Sequence, residues 1–198
     1  MLLRARTLTL MVLLLNLWAG SAAAQAVLKP PFGLRWGDSP EKLVGWAEKH
    51  DLNITITLPG NQDGLSLLRI SSDKGFLPNH KASALEGRFL GGRLYELTVH
   101  YADSKASAAQ MEAQFEALKR EMSKEHGQFR ANQQKRTVAD QFVTRTQSFH
   151  REPVKGLFLL MAYTEVEDLL RKSKSGRFSL IYRNDNFRLK LEEAMATP

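Results

Sequence analysis

Glu165, Glu167 and Asp168 form the densest group of carboxylates in this 198-residue chain. One residue separates Glu165 from Glu167, so their side chains share a face if this segment is a strand. Paired carboxylates can carry out acid–base chemistry or bind a cation. No third ligand is evident nearby, and a solvated strand end explains the same residues. We therefore predict no metal site and keep Glu165 and Glu167 as candidates for catalysis alone.

The five histidines are spread along the chain, and none lies within five residues of another. They therefore form no local chelating pair. His100 is the first candidate for a functional histidine, because it lies on the polar side of an alternating segment and histidine titrates near neutral pH. A hydrolase or a metal-dependent enzyme would need a distant histidine to converge with Glu165 and Glu167.

Several kinds of catalytic site are missing from the sequence. It contains no G-x-S-x-G, Walker, G-x-G-x-x-G or H-E-x-x-H motif. The chain also has no cysteine, which excludes thiol catalysis, disulfides, and zinc or iron–sulfur sites built on cysteine. We expect no cofactor, and we expect a binding module rather than an enzyme.

A basic run, Arg171, Lys172, Lys174 and Arg177, places four positive charges in seven residues. Such a run can bind lipid phosphates or an acidic polymer of a cell envelope, or it can be the solvated tip of a hairpin. No aromatic residue interrupts it, which disfavours nucleic-acid binding. The sequence therefore predicts an anionic envelope component or an envelope protein as the partner, and no nucleic acid.

Three aromatic residues, Phe32, Trp36 and Trp46, cluster near the start of the predicted domain. They could line an apolar ligand groove. They could equally close the core where the first helix meets the sheet.

The first half of the chain predicts one helix and about four strands. Ser39-Pro40-Glu41 is typical of a helix start, and the helix should run to about His50. Segments 53–58 and 65–71 are predicted strands. Residues 82–101 alternate strongly around Gly91-Gly92 and predict a hairpin.

Two loop lengths are possible in that hairpin. A two-residue loop would place Leu90 opposite Arg93. A three-residue loop would place Leu90 opposite Leu94, Phe89 opposite Tyr95 and Arg88 opposite Glu96. Burial favours the three-residue loop, because it gathers nearly all large apolar side chains on one face and leaves an exposed Arg88–Glu96 pair.

A long amphipathic helix follows, capped by Asp103 or Ser104 and ended by Gly127. Its apolar stripe comprises Ala108, Met111, Phe115, Leu118 and Met122. The last third predicts strands within 137–149, over 157–163 and over 177–183. The apolar strand 157–163 should be covered on both faces. Residues 187–195 fit either a further strand or a short helix.

This order predicts an α+β fold in which two main amphipathic helices pack on an antiparallel sheet of about seven strands. The domain, residues 25–198, would consist either of two similar halves (about 32–101 and 103–198) or of one continuous sheet with both helices on one face.

The first 24 residues have the order of a secretory signal peptide. Arg4 and Arg6 precede an apolar run over 8–19. Ala22 and Ala24 would direct cleavage before Gln25, or Ala24 and Ala26 would direct it before Val27. The formal net charge of +7 would then fall to +5. The run is too short to span a bilayer as a helix, and no cysteine could carry a lipid. We expect a periplasmic or extracellular protein without a transmembrane anchor after cleavage.

Residues 32–41 (Phe-Gly-Leu-Arg-Trp-Gly-Asp-Ser-Pro-Glu) resemble the opening of many small secreted bacterial proteins, in which F-G-x-x-W-G-x-S-x-E follows the signal peptide. Residues 94–99, the long helix before Gly127 and residues 180–185 are similar to the middle and closing sections of these proteins. The helix-plus-four-strand order is also similar to β-lactamase-inhibitor-like and outer-membrane assembly lipoprotein domains, apart from the missing lipid-bearing cysteine. The resemblance implies a periplasmic or extracellular α+β domain and no catalytic residues.

These observations predict a non-enzymatic periplasmic or secreted binding module. One alternative is a secreted hydrolase or metal-dependent enzyme that uses Glu165 and Glu167. The other is an envelope binder that holds anionic lipid or polymer through the basic run at 171–177.

Overall fold

The computed structural model describes residues 28–60 and 63–196. The predicted signal peptide, residues 1–24, lies outside this part of the chain. The helices are α1 (Pro40–Lys49), α2 (Ala108–His126) and α3 (Asp185–Ala196). The strands are β1 (Asn53–Thr57), β2 (Leu65–Ser71), β3 (Ala84–Leu90), β4 (Arg93–Ala102), β5 (Arg130–Ala139), β6 (Phe142–Val154), β7 (Leu157–Asp168) and β8 (Ser173–Asn184). Among the described residues, no helix is long and apolar enough to cross a membrane.

The strands form one antiparallel sheet in the order β1-β2-β3-β4-β8-β7-β6-β5. A helix precedes each four-stranded meander, and the last strands of the two meanders, β4 and β8, pair with each other. The predicted α+β class with an antiparallel sheet is therefore confirmed. The described sheet has eight strands because residues 130–154 form the β5–β6 hairpin, where the sequence indicated one strand within 137–149.

Both α1 and α2 pack on the same face of the sheet, which we call the helix face. Leu43 of α1 lies against Gly87 of β3, and Phe115 of α2 contacts Phe178 of β8. The strand register places Gly87 and Phe178 on one face. Most of the buried side chains on this face belong to one hydrophobic core. The eight strands form one sheet, so the alternative of a single continuous sheet is the observed one.

Helix α2 begins later than predicted. Ser107 is its N-cap, and a reciprocal capping box joins Ser107 to Gln110. Asp103 instead accepts a hydrogen bond from the Lys105 amide within the preceding turn, so neither Asp103 nor Ser104 caps the helix. Gly127 ends the helix as predicted. Of the predicted stripe, Ala108, Met111, Phe115 and Met122 are buried, and Leu118 packs against the core.

The β3–β4 turn contains two residues, Gly91 and Gly92, and both have positive φ angles. Leu90 is therefore opposite Arg93, and the predicted pairing of Leu90 with Leu94 is wrong. Two adjacent glycines match the twist of a tight hairpin turn, because they adopt this backbone conformation without steric cost.

Beyond the turn, the ladder shifts by one residue at Tyr95, so Arg88 is opposite Glu96 as predicted. The expected exposure of this pair is wrong, since Glu96 is only 3% exposed. Its carboxylate lies 3.1 Å from Arg88 Nε and also contacts Arg183 of β8. A buried carboxylate needs such partners, because leaving it unpaired costs free energy.

The face of the sheet opposite α1 and α2, which we call the outer face, is less covered. Strand β7 therefore alternates between buried and half-buried residues over 157–163, and the prediction that it is covered on both faces is wrong. Residues 187–195, left open by the sequence, lie in α3. This helix contacts β3, β4 and β7, and Met195 packs against Gly64 and Gly91.

The second meander projects beyond the first. Strand β4 ends at Ala102, opposite Arg177, but β8 begins four residues earlier, at Ser173. At about 3.3 Å per residue, β8 and its neighbours extend roughly 13 Å beyond β4. The start of α2 reaches only the base of this projection, where Met111 lies against Gly176.

We predict that Phe115→Ala lowers the free energy of unfolding by about 3–5 kcal/mol. Phe115 is 0% exposed, and its ring contacts Phe149, Tyr163 and Phe178. Urea denaturation would measure the change. The matched control Phe142→Ala should cost about 1 kcal/mol or less, because Phe142 is exposed. Equal losses in the two variants would contradict the assigned core.

Candidate functional site

The projecting end of the sheet carries two neighbouring hairpin turns. Phe142 of β6 pairs with Asp168 of β7, and the Leu169 amide donates a 2.9 Å hydrogen bond to the Gln141 carbonyl. This bond continues the strand pairing into the turns, so they form one surface. We call residues 138–142 and 169–174 the hairpin tip.

The hairpin tip exposes four large apolar side chains. They are Val138, Phe142, Leu169 and Leu170. Leu170 is the most exposed of the four, at 74%. Single exposed apolar residues are common on protein surfaces, whereas several of them at one projecting end are typical of surfaces that contact a partner or a membrane.

Asp168 fixes the backbone that presents Leu170. One carboxylate oxygen of Asp168 accepts hydrogen bonds from the amides of Leu170 and Arg171, both at 3.0 Å. The Asp168 side chain is itself buried. The exposure of Leu170 therefore follows from a defined turn.

Two residues of the predicted basic run lie in the same turn as Leu169 and Leu170, and the other two lie on opposite faces of β8. Arg171 and Lys172 lie in the turn itself, and Arg171 Nε lies 3.8 Å from Asp168. Lys174 projects on the helix face, where its Nζ lies 3.7 Å from Glu165. Arg177 lies on the outer face, three residues further along β8. Within the described residues, Lys172 and Arg177 form no ion pair.

Glu165 and Glu167 both project on the helix face, as predicted for one strand. Arg145 of β6 lies between them, with Nη1 at 2.8 Å from Glu165 and 3.3 Å from Glu167. Lys174 contacts both carboxylates from the other side. The two acidic residues are therefore engaged in ion pairs. Among the described residues, no three His, Cys, Asp or Glu side chains are grouped so that they could hold a metal ion.

His100 lies on the outer face of β4, so the sheet separates it from Glu165 and Glu167. Its Nε2 is 4.0 Å from Glu86. Burial lowers the pKa of His100, and the neighbouring Arg69 and Arg177 lower it further, whereas Glu86 opposes the shift. The structure does not bring His100 together with the two carboxylates.

A cavity of about 390 Å³ lies immediately behind the hairpin tip on the helix face. Its lining includes Glu112 of α2, Gln134 and Arg136 of β5, Arg145 and Gln147 of β6, and Glu165 of β7. Tyr163 also lines it, and its hydroxyl donates a 3.0 Å hydrogen bond to the Ala108 carbonyl at the start of α2.

Two guanidinium groups face each other across the β5–β6 ladder at this cavity. Arg136 and Arg145 are direct partners in the register. Like charges directly opposite on neighbouring strands destabilise a sheet. Arg145 is offset by Glu165 and Glu167, but Arg136 has no acidic partner among residues 28–60 and 63–196. Arg136 is therefore available to an anionic ligand.

The three aromatic residues of the predicted groove lie in or beside α1. The rings of Phe32 and Trp46 lie 5.3 Å apart, and Phe32 also contacts His80. The Trp36 indole donates a 2.9 Å hydrogen bond to the Leu28 carbonyl. All three predicted aromatic residues pack against the core, beside α1.

Sequence reasoning did not identify the apolar part of the hairpin tip or the Arg136–Arg145 pair. One local indication was available, because Leu169-Leu170 directly precedes Arg171-Lys172 in a polar stretch. The remaining residues become neighbours through the β5–β6 and β6–β7 registers, which the sequence did not predict.

Comparisons with protein-family models, with curated proteins and with solved structures find no significant match to this chain.

Because the pKa of His100 is lowered in the folded protein, the free energy of unfolding should depend on pH. A histidine that resists protonation in the folded state binds a proton more readily when unfolded, so stability falls as pH falls from above 6.5 to below the folded pKa. His100→Gln should therefore reduce the loss of unfolding free energy between neutral and mildly acidic pH, measured by urea denaturation.

A second variant provides a check on this result. Burial also lowers the pKa of His80, so His80→Gln should remove a further part of the same pH dependence. A pH dependence that neither substitution changes would contradict the assignment.

Proposed function

We propose that this protein is a non-enzymatic binding module of the bacterial periplasm or cell surface, and that its hairpin tip attaches it to anionic lipid surfaces. One observation carries the proposal: exposed apolar side chains and basic side chains occupy the same projecting end of the sheet. The signal-peptide pattern at residues 1–24 supports the compartment.

The apolar component comes chiefly from Leu169 and Leu170. Transfer of a leucine side chain from water to an apolar medium is favourable by about 1.5–3 kcal/mol. Leu170 is the most exposed of the four apolar residues at the hairpin tip, so it can contact the boundary between lipid headgroups and acyl chains without unfolding of the turn. Phe142 and Val138 belong to the neighbouring hairpin turn at the same end of the sheet and would contact the same boundary.

The electrostatic component comes from Arg171 and Lys172, because Glu165 and Glu167 already engage Lys174. A basic side chain near an anionic leaflet contributes about 1 kcal/mol, and this attraction decreases within a Debye length. Stable peripheral attachment generally needs both an apolar and an electrostatic component. The hairpin tip combines the two within a few residues.

The hydrolase alternative has less support in the geometry. Glu165 and Glu167 are held by Arg145 and Lys174, and His100 lies on the other face of the sheet. These ion pairs can stabilise the surface. Among the described residues, they do not place a general base beside a nucleophile.

We predict that the combined substitutions Leu169→Ser and Leu170→Ser weaken binding to mixed phosphatidylglycerol and phosphatidylcholine vesicles by about tenfold or more, because the apolar transfer free energy is lost. Vesicle cosedimentation would measure the affinity. Leu58→Ser is a close control, since Leu58 is 75% exposed but follows β1 at the opposite end of the sheet. Vesicle binding that is absent at low salt, or unchanged in the double variant, would contradict the proposal.

We also predict that Arg171→Gln with Lys172→Gln weakens vesicle binding by about tenfold at low salt, and that salt reduces the difference from the unsubstituted protein. Lys155→Gln with Lys190→Gln removes the same charge from exposed positions at the other end of the sheet. Equal losses in the two pairs would show that only net charge matters, and the hairpin tip would then not be the contact.

A further inference from the structure

We propose that the cavity behind the hairpin tip binds a small zwitterionic ligand that carries one phosphate and one primary ammonium group, the chemistry of phosphoethanolamine. This inference rests on the proposed function insofar as the ligand is a lipid headgroup. The same chemistry is available from a free phospho-amine in solution, and the experiment below distinguishes the two sources.

The cavity has an anion-binding side. The Arg136 guanidinium lines it and has no acidic partner among the residues that the structure describes. Arg145 lies directly opposite on β6, so a second guanidinium is within the same wall. Guanidinium groups present paired N–H donors that match phosphate oxygens, and a bound phosphate would relieve the repulsion between the two arginines.

The cavity also has a cation-binding side. Glu112 lies in the second turn of α2, it is exposed, and it forms no ion pair with any residue in the described ranges. Glu165 lines the cavity as well, but Arg145 and Lys174 already engage it. Glu112 is therefore the free carboxylate to which an ammonium group can donate hydrogen bonds.

The decisive feature is that Arg136 and Glu112 line one cavity without pairing with each other. Lys135, which also lines the cavity and forms no ion pair among the described residues, adds a second unpaired positive charge. These charges favour a ligand that carries both signs, since a simple anion would meet Glu112 and a simple cation would meet Arg136 and Lys135. Gln134 and Gln147 also line the cavity and supply neutral hydrogen-bonding groups. The volume of about 390 Å³ lies within the range of small-molecule sites.

The position of the cavity fits a lipid headgroup. Arg145 follows Phe142 by three residues on β6, and Arg136 precedes Ala139 by three residues on β5. Both therefore lie about 10 Å behind the hairpin tip along the strands. A tip that enters roughly 5–10 Å into the boundary layer would place the cavity level with the headgroups.

Titration of the full domain with glycerophosphoethanolamine, followed by amide chemical shifts, tests the cavity without a membrane. We expect Arg136→Gln and Glu112→Gln each to weaken binding by about tenfold. Arg130→Gln, on the same strand but outside this cavity, should leave the affinity unchanged. Glycerophosphocholine should bind more weakly, because its quaternary ammonium has no N–H group for Glu112. Failure of glycerophosphoethanolamine to bind, or binding unchanged by Arg136→Gln, would overturn the proposal.

Vesicles then identify the source of the ligand. If the ligand is a lipid headgroup, the protein should bind phosphatidylethanolamine–phosphatidylglycerol vesicles more tightly than phosphatidylcholine–phosphatidylglycerol vesicles, and Glu112→Gln should abolish the preference. Equal binding to both, with glycerophosphoethanolamine bound as expected, would identify a free phospho-amine as the ligand.

The Leu169→Ser, Leu170→Ser variant should still bind glycerophosphoethanolamine. Loss of vesicle binding alone thus contradicts only the tip, and loss of glycerophosphoethanolamine binding alone contradicts only the cavity.

Discussion

The antiparallel pairing of β4 with β8 is the interaction on which the rest of this structure depends. Each meander alone has four strands and one helix, and small sheets of this size bury limited apolar surface. Their closing strands pair over seven positions, and Glu96 of β4 is opposite Arg183 of β8. The pairing aligns the two helix faces, so α1 and α2 share one core. The ion pair between Glu96 and Arg183 connects the halves on the outer face.

The spacing of apolar residues in the sequence was sufficient to predict the helices and strands that bury one face. The stripe of α2 and the alternation of β3 and β4 were predicted, and so was the opposition of Arg88 and Glu96. The details near the turn were not, because Gly91 and Gly92 favour a two-residue turn and the ladder then needs a bulge at Tyr95. Strand β5 was missed because all ten of its residues are exposed, which leaves no alternation to detect.

The candidate site depends on long-range neighbours, which explains why little of it could be predicted. The basic run at 171–177 was visible in the sequence, but the sheet distributes its members over the turn and both faces. The Arg136–Arg145 pair exists only because β5 and β6 adopt one particular register. The acidic pair Glu165 and Glu167 was found correctly as a pair, yet its partner Arg145 comes from twenty positions upstream.

Strands β5–β8 extend beyond Ala102, so the length of this projection can change independently of the stability of the core. The overhanging residues contribute little to the core under α1 and α2, so related chains could lengthen or shorten both hairpins with little effect on folding. Alternation restricts the permitted steps, however. One residue added to each strand of a hairpin would turn the side chains between the two insertions to the opposite face. Only changes of two residues per strand, each moving the tip by about 7 Å, would keep the same side chains on the helix face.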